Sequence, residues 1–304
     1  MKVVILATSG VTVPSIEYLE QQELLAGVIL IGSSSEIYSL QQFLQQKNIQ
    51  FAHVERSDPE KLSVTINAFK SELILALDVS LDIEDRITAA TDGRWIEVIT
   101  KHVRSDRFET SLYWGIRKGL SHLDVMAVDI VQKSIIAEVT LDIADQDTLG
   151  ALYSKASLVI AQLVQQLVTK TLSDACEIQH SNDAVLEYIE SEVVSISEQD
   201  LLLDIRELTP QQTLNHIRAA NPFFGGAHVR FGQHHIKLLE ASFSEQPTYG
   251  AKPGTILTIS QEKGMVVAVK KGSVRFDILA NSEGIYTGYR LANLAGLQAG
   301  MTIS

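Results

Sequence analysis

The stretch "GRWIEVITKHVRSDRF", residues 93–108, places a crowd of reactive side chains directly after an apolar run. Residues 95–99 read as a short strand, and Lys101, His102, Arg104, Asp106 and Arg107 fill the loop beyond it. Open α/β sheets hold their ligands just past the carboxyl ends of strands. There, His102 could exchange a proton near neutral pH. Lys101, Arg104 and Arg107 could hold a phosphate or carboxylate, because Arg presents a planar fork of donors. A solvated basic loop is the alternative reading of the same residues.

Other reactive side chains carry less. His228, His234 and His235 suggest a metal at first sight. Alternation along a strand sends His234 and His235 to opposite faces, and no nearby cysteine completes a set, so no metal site is expected. Cys176 lies among polar and acidic neighbours, which disfavours a reactive thiolate. Phe223 and Phe224 read as a hydrophobic seam between a helix and the strands that follow it, and Trp95 and Trp114 as core.

The elements that must position these residues alternate through the first half. Continuous apolar runs at 3–7, 27–31, 73–77 and 95–99, with a further strand at 49–54, have strand length. Between them, Ile16, Leu19 and Leu24, then Ile37, Leu40 and Leu44, then Leu62, Ile66 and Phe69 mark helices. Strands alternating with helices predict βαβ units and a doubly wound, mainly parallel sheet.

Residues 124–131 and 134–142 read as two adjacent strands joined near Gln132 and Lys133, and a long helix follows from 147 to 172, with Leu152, Leu158, Leu163 and Leu167 among its apolar positions. An acidic linker comes next. The sequence "TPQQ" then opens a helix: Thr209 is an N-cap, Pro210 suits the first helical position and Gln212 can close a capping box. Asn221-Pro222 and Gly225-Gly226 end it. Short strands at 227–231, 235–241, 254–260, 265–269 and 274–279, broken by glycine, predict a small β-barrel. The organisation expected is an α/β domain over 1–173, a linker over 174–204 and an OB-like barrel domain over 205–304.

Composition narrows the function classes. The chain has 304 residues, 45% hydrophobic, enough for two cores. A formal charge of -12 argues against sequence-independent nucleic-acid binding, which depends on clustered Lys and Arg. One cysteine fits a reducing compartment. No apolar run approaches the roughly 18 residues of a membrane helix. The start lacks the form of a signal peptide, and a cytoplasmic protein is expected.

The order of these parts, with several motifs, resembles the methionyl-tRNA formyltransferase family. "VPSIEYL" (13–19) is similar to the family's opening helix, and "SLYWGIRKG" (111–119) to its Pro-Ile-x-Trp-Ala-Ile-x-x-Gly helix. "DTLGALYSKAS" (147–157) resembles an Asp-Thr-x-Gly-x-Leu-Tyr helix start. "IRAANPFFGGAHV" (217–229), "PGTIL" (253–257) and "LQAGMTIS" (297–304) resemble the C-terminal domain. The likeness runs over almost the whole chain and keeps its order.

The resemblance implies formyl transfer from 10-formyltetrahydrofolate to an amine. It implies an Asn-x-His pair at the end of a central strand, then Ser-Leu-Leu-Pro, and an Asp from a later loop. The Asn amide would steady the oxyanion of the tetrahedral intermediate, while His and Asp move the amine's proton. Counting back from Gly119 without a gap puts Glu97 at the Asn and Ile99 at the His, with residues 101–104 in place of Ser-Leu-Leu-Pro. Giving His102 the catalytic place would require three residues to be deleted and would set Thr100 at the Asn. Asp129 matches an upstream acid, but the following loop is shortened to "IVQKS" and has no carboxylate between Ile130 and Ala137.

Glu97, acceptor-only when ionised, would repel an oxyanion. Losing one such donor typically raises the barrier by about 2.7–4 kcal/mol. Ile99 exchanges no proton. "ALDVS" (76–80) stands where the family has an Ala-Tyr-Gly segment walling the folate pocket, which sets Asp78 near Glu97. The basic insertion used on tRNA is missing after residue 32.

The reading is therefore a family member without the Asn/His/Asp set, binding a small ligand or a protein partner. Its candidate cleft is Asp78, Ser80, Lys101, Arg104 and Arg107, with Glu97 and His102 as the candidate acid–base residues. Glu97 paired to Lys101 or Arg104 is the structural alternative. The competing reading is an active N-formyltransferase on a sugar nucleotide or aminoacyl-tRNA, with 10-formyltetrahydrofolate as donor and Glu97 as a rearranged acid. Initiator tRNA is a poor candidate ligand at this net charge.

Overall fold

The computed structural model describes residues 1–55, 58–79, 88–101, 105, 107–172, 194–231 and 234–303. The roles expected of Ser80, His102, Arg104, Asp106 and Cys176, and most of the acidic linker, lie outside the described residues. The chain divides into two compact units, Met1–Ser111 with His122–Asp142 and Tyr153–Ser195, and Leu112–Ser121 with Ile143–Leu152 and Ile196–Ser304. Two segments that the linear boundary at 173 assigns to the first domain thus group with the second.

The first unit holds strands β1 (Val3–Ala7), β2 (Leu25–Ile31), β3 (Phe51–Val54), β4 (Leu73–Leu77), β5 (Arg94–Thr100), β6 (His122–Asp129) and β7 (Ser134–Asp142). Their order in one sheet is β3-β2-β1-β4-β5-β6-β7. The pairs from β3 to β5 are parallel and the two involving β6 are antiparallel, so the sheet is mixed with a parallel core. Strands β1 and β4 are buried along their whole length, as strands covered on both faces must be. The crossovers are α1 (Val13–Gln21), α2 (Ser35–Gln46) and α3 (Pro59–Ala68).

Two details differ from the sequence expectation. Leu24 lies beyond α1, because Glu23 at φ 57° takes the left-handed conformation that ends the helix. Phe69 follows α3 rather than lying within it, and its ring covers Gly27: a Cβ there would stand 2.1 Å from Phe69 Cε1. β2 passes to α2 through residues 32–34 alone.

Helix α4 (Phe108–Lys118) and the long α5 (Leu149–Leu172) follow β5 and β7. In α5 the buried series is Leu149, Leu152, Ala156, Ile160, Leu163 and Leu167; Leu158, named among its apolar positions, falls off that face and is 65% exposed.

In the second unit, α6 (Glu198–Leu201) and α7 (Pro210–Ala220) precede β8 (Ala227–Phe231), β9 (His234–Ser244), β10 (Ile256–Ser260), β11 (Gly264–Val269), β12 (Gly272–Asn281) and β13 (Gly284–Thr287), with α8 (Gly288–Leu294) last. The capping box is present as expected, Thr209 Oγ1 accepting from Gln212 N and Thr209 N donating to Gln212 Oε1 at 3.0 Å. The strands form an antiparallel sheet ordered β10-β11-β12-β9-β8, with β13 on β12. Phe276, Met265, Val267, Leu238 and Leu279 fill its core. Phe224 packs edge-on against Tyr113 at 5.7 Å, and Phe223 is 38% exposed. Among the described residues no helix is long and apolar enough to cross a membrane.

Candidate functional site

Strands β1 and β4 are neighbours, but the chain leaves β1 toward β2 on one side and β4 toward β5 on the other. Such a reversal opens a crevice past the strands' carboxyl ends, the usual ligand position in open α/β sheets. Here Thr8 and Ser9 follow β1, and Asp78 follows β4 at φ 58°. All three are buried. Ser9 Oγ donates to Asp78 Oδ2, Thr8 Oγ1 lies 3.1 Å from the same oxygen and also donates toward the Asp78 backbone oxygen, and the Phe108 N–H donates to Oδ1. Both carboxylate oxygens are thus occupied from within the fold.

Burial pushes the Asp78 carboxyl above its ordinary range, and the hydrogen bonds from Ser9 and Phe108, with the Arg107 charge, hold that rise in check. The network continues outward. Tyr153 donates to Ser9 Oγ at 3.0 Å and accepts from the Val11 N–H at 3.0 Å. Burial pushes the Tyr153 phenol well above its usual value, so the ring stays protonated and serves as a donor.

Beside Asp78, at the end of β5, lies a small cleft. Glu97 and Ile99, two apart on the strand, share a face and both line it, with Thr100, Ser105 and Arg107. The space is about 20 Å³. That holds a single water, against the roughly 300–1,000 Å³ of a ligand pocket. Ile99 also belongs to an apolar cluster with Met126, Val128 and Ile135. Ser111 donates to Ser105 Oγ at 2.6 Å, and Ser105 in turn to the Arg107 carbonyl at 2.8 Å, so these hydroxyls are engaged in holding the loop.

The structure places Asp78, Glu97 and Arg107 around this cleft. Lys101 does not join them: its backbone N–H bonds to Asp124 O, extending the ladder with β6, and its side chain is exposed. Asp129 is a structural acid, pairing with Arg94 Nε at 2.7 Å and accepting from the N–H groups of Val131 and Gln132.

A second, larger space in the same unit, about 320 Å³, is lined by Gly10, Val13, Glu36, Leu40, Phe43 and Tyr153. Arg107 connects the two, its Nη2 3.3 Å from Glu36 Oε2 and its Nη1 3.1 Å from Glu109 Oε1. Burial raises the Glu36 pKa, with the Arg107 charge opposing. Sequence reasoning missed Thr8, Ser9, Glu36 and Tyr153. The first two stand just past a strand end and were open to notice; Tyr153 closes the Asp-Thr-x-Gly-x-Leu-Tyr likeness, but its reach to Ser9, 144 residues away, has no sequence signal. The second unit carries a broad groove of about 850 Å³, in which Arg275 pairs with Asp277 at 2.5 Å and Arg290 lies over the Tyr286 ring.

Comparison with known proteins shows what this chain is similar to. Residues 195–288 match the model for the formyl transferase C-terminal domain. The chain is 23% identical over 219 residues to the methionyl-tRNA formyltransferase of Bacillus subtilis (strain 168), covering 69% of this chain and 67% of that protein. It is 27% identical over 135 residues to the methionyl-tRNA formyltransferase of Kosmotoga olearia, covering 44% and 41%. Among solved structures, HypX from Aquifex aeolicus in complex with tetrahydrofolic acid superposes with a TM-score of 0.61 at 13% identity, over 98% of this chain and 48% of that one. The chain thus spans about half the length of HypX. WlaRD, a sugar 3N-formyl transferase, matches with a TM-score of 0.63 at 13% identity, over 90% of this chain and 96% of its own. These likenesses establish the fold.

Proposed function

We propose that this chain, which belongs to the formyltransferase family, keeps the family's frame without its formyl-transfer chemistry and acts by binding a small ligand or a protein partner. In this reading the second unit's antiparallel sheet is an OB-like barrel and the setting is cytoplasmic.

One observation carries the proposal. The crevice at the end of β4 and β5 holds about 20 Å³ and is bounded by Glu97, Ile99 and an Asp78 whose carboxylate is already bonded from Thr8, Ser9 and the Phe108 N–H. A transferring site would present a donor to a growing oxyanion. Glu97 presents acceptors. The alternative, transfer to an amine with Glu97 as the acid–base group, draws support from that residue's half-buried place beside Asp78 in the same wall.

The two readings separate in one experiment. The protein is heated with 5-formyltetrahydrofolate, and incubated with 10-formyltetrahydrofolate and amino-sugar nucleotides or methionyl-tRNA, with products followed by mass spectrometry. We expect no shift in melting temperature and no formylated product. A ligand at 100 times its Kd would stabilise by about 2.7 kcal/mol, well within detection. Catalytic formyl transfer that is lost in Glu97→Gln overturns the proposal.

A further inference from the structure

The 320 Å³ cavity between the turn after β1 and helix α2 shares no described lining residue with the cleft at the end of β5. The Arg107–Glu36 pair stands between it and the cleft at the end of β5. We infer that this cavity binds a small organic ammonium, with a compact apolar or aromatic body on Val13, Leu40 and Phe43 and its charged nitrogen at Glu36. The inference names a ligand class for the binding function above and rests on that reading.

Size and lining both select the ligand. The volume stands at the lower end of small-molecule pockets, enough for one ring with a short side chain. Val13, Leu40 and Phe43 supply an apolar wall. The polar lining, among the described residues, is one carboxylate and the hydroxyls of Ser35, Ser39 and Tyr153, with no basic side chain. An ionised carboxylate only accepts, so the complementary group is a donor, and an anionic ligand would be repelled.

Glu36 also has capacity left. Among the described residues its ion-pair partner is Arg107, which divides its guanidinium between Glu36 and Glu109. The 3.3 Å separation is long beside the roughly 2.7–2.9 Å of a charge-assisted hydrogen bond. Burial outweighs Arg107 in setting the Glu36 pKa, which lies above its ordinary value. A second cation at Glu36 would relieve that deficit, whereas a purely apolar ligand would desolvate the carboxylate further.

Benzylammonium and its uncharged isostere benzyl alcohol are the probes, titrated calorimetrically into the full chain, its Glu36→Gln variant and its Gly10→Leu variant. Gly10 lines the cavity, and a Cβ there meets nothing within 4 Å, so the first atom of the added side chain stands in open space. The wild type should bind benzylammonium about tenfold more tightly than the alcohol, the discrimination of one charge-assisted contact. Glu36→Gln should erase that preference while leaving alcohol binding unchanged. Gly10→Leu, with an unaltered circular dichroism spectrum, should abolish binding of both.

No saturable binding to the wild type, or an undiminished preference for benzylammonium in Glu36→Gln, overturns the inference. Formyl transfer in the separate product assay overturns the proposed function instead.

Discussion

His216 on α7 is fully buried, and neither ring nitrogen makes a well-formed hydrogen bond among the described residues. Burial, helped by the Arg117 charge and opposed by Asp200, pushes its pKa down to about 3 from an ordinary 6.5. Between those values the unfolded chain binds a proton that the folded chain refuses, so this residue makes stability rise with pH. Its contribution is intact above about pH 6.5, erodes as pH falls, and is fully lost only below about pH 3. At 1.36 kcal/mol per unit, the linkage predicts a loss of about 1 kcal/mol between about pH 7 and pH 5.5, and between about 2 and 3 kcal/mol by about pH 4.5.

His216→Leu removes the titration while keeping a similar apolar volume. Because the chain has two units, a single global transition is the wrong readout. Native-state hydrogen exchange at the amides of α7 and β8 reports the local opening free energy directly. The difference between wild type and variant should change by those amounts across the pH series, since groups common to both cancel. Parallel profiles from about pH 7 to pH 4.5 would refute the reasoning and show that the imidazole has reached water or a partner.

Two further outcomes follow from single contacts. Tyr153→Phe deletes the donor to Ser9 and the acceptor of the Val11 N–H, and should cost about 1–3 kcal/mol in urea unfolding followed by exchange in α1. Arg218 Nη1 donates to the carbonyls of Ala144 at 2.7 Å and Asp147 at 3.1 Å, so Arg218→Ala should lower protection in residues 143–152 by about 1.5–3 kcal/mol. Arg218→Lys should restore only part, because an ammonium cannot reproduce the fork that also reaches Asn215 Oδ1.

Much of the frame is legible in the sequence because it is set locally. The apolar runs of β1, β4 and β5 announce buried strands, and Thr209-Pro210 with Gln212 announces a helix start that the structure reproduces. The errors arise where one residue decides the matter. Glu23 in the left-handed region ends α1 before Leu24, a conformation its side chain does not advertise. Leu158 is as apolar as its neighbours but sits off the repeating face of α5. β13 and α8 went unread because glycines at 284 and 288 look like breakers, whereas the first opens a strand and the second fits against the Phe276 carbonyl, which a Cβ would approach to 2.2 Å.

The site divides along the same line. Glu97 and Ile99 fall on one face because strand alternation requires it, so their shared cleft could be read in advance. That the cleft is nearly filled could not. Its Asp78 carboxylate is held by Thr8 and Ser9, some 70 residues earlier, and Ser9 in turn accepts from Tyr153, much later in the chain. No periodicity records such meetings. An acid placed at the reversal of a doubly wound sheet reads from sequence as a ligand contact. Once both its oxygens are bonded from within, the same acid joins the ends of β1 and β4, and a ligand entering there would have to replace those bonds. The open space in this unit lies instead beside α2, with Glu36 in its wall, and that is where binding should be sought.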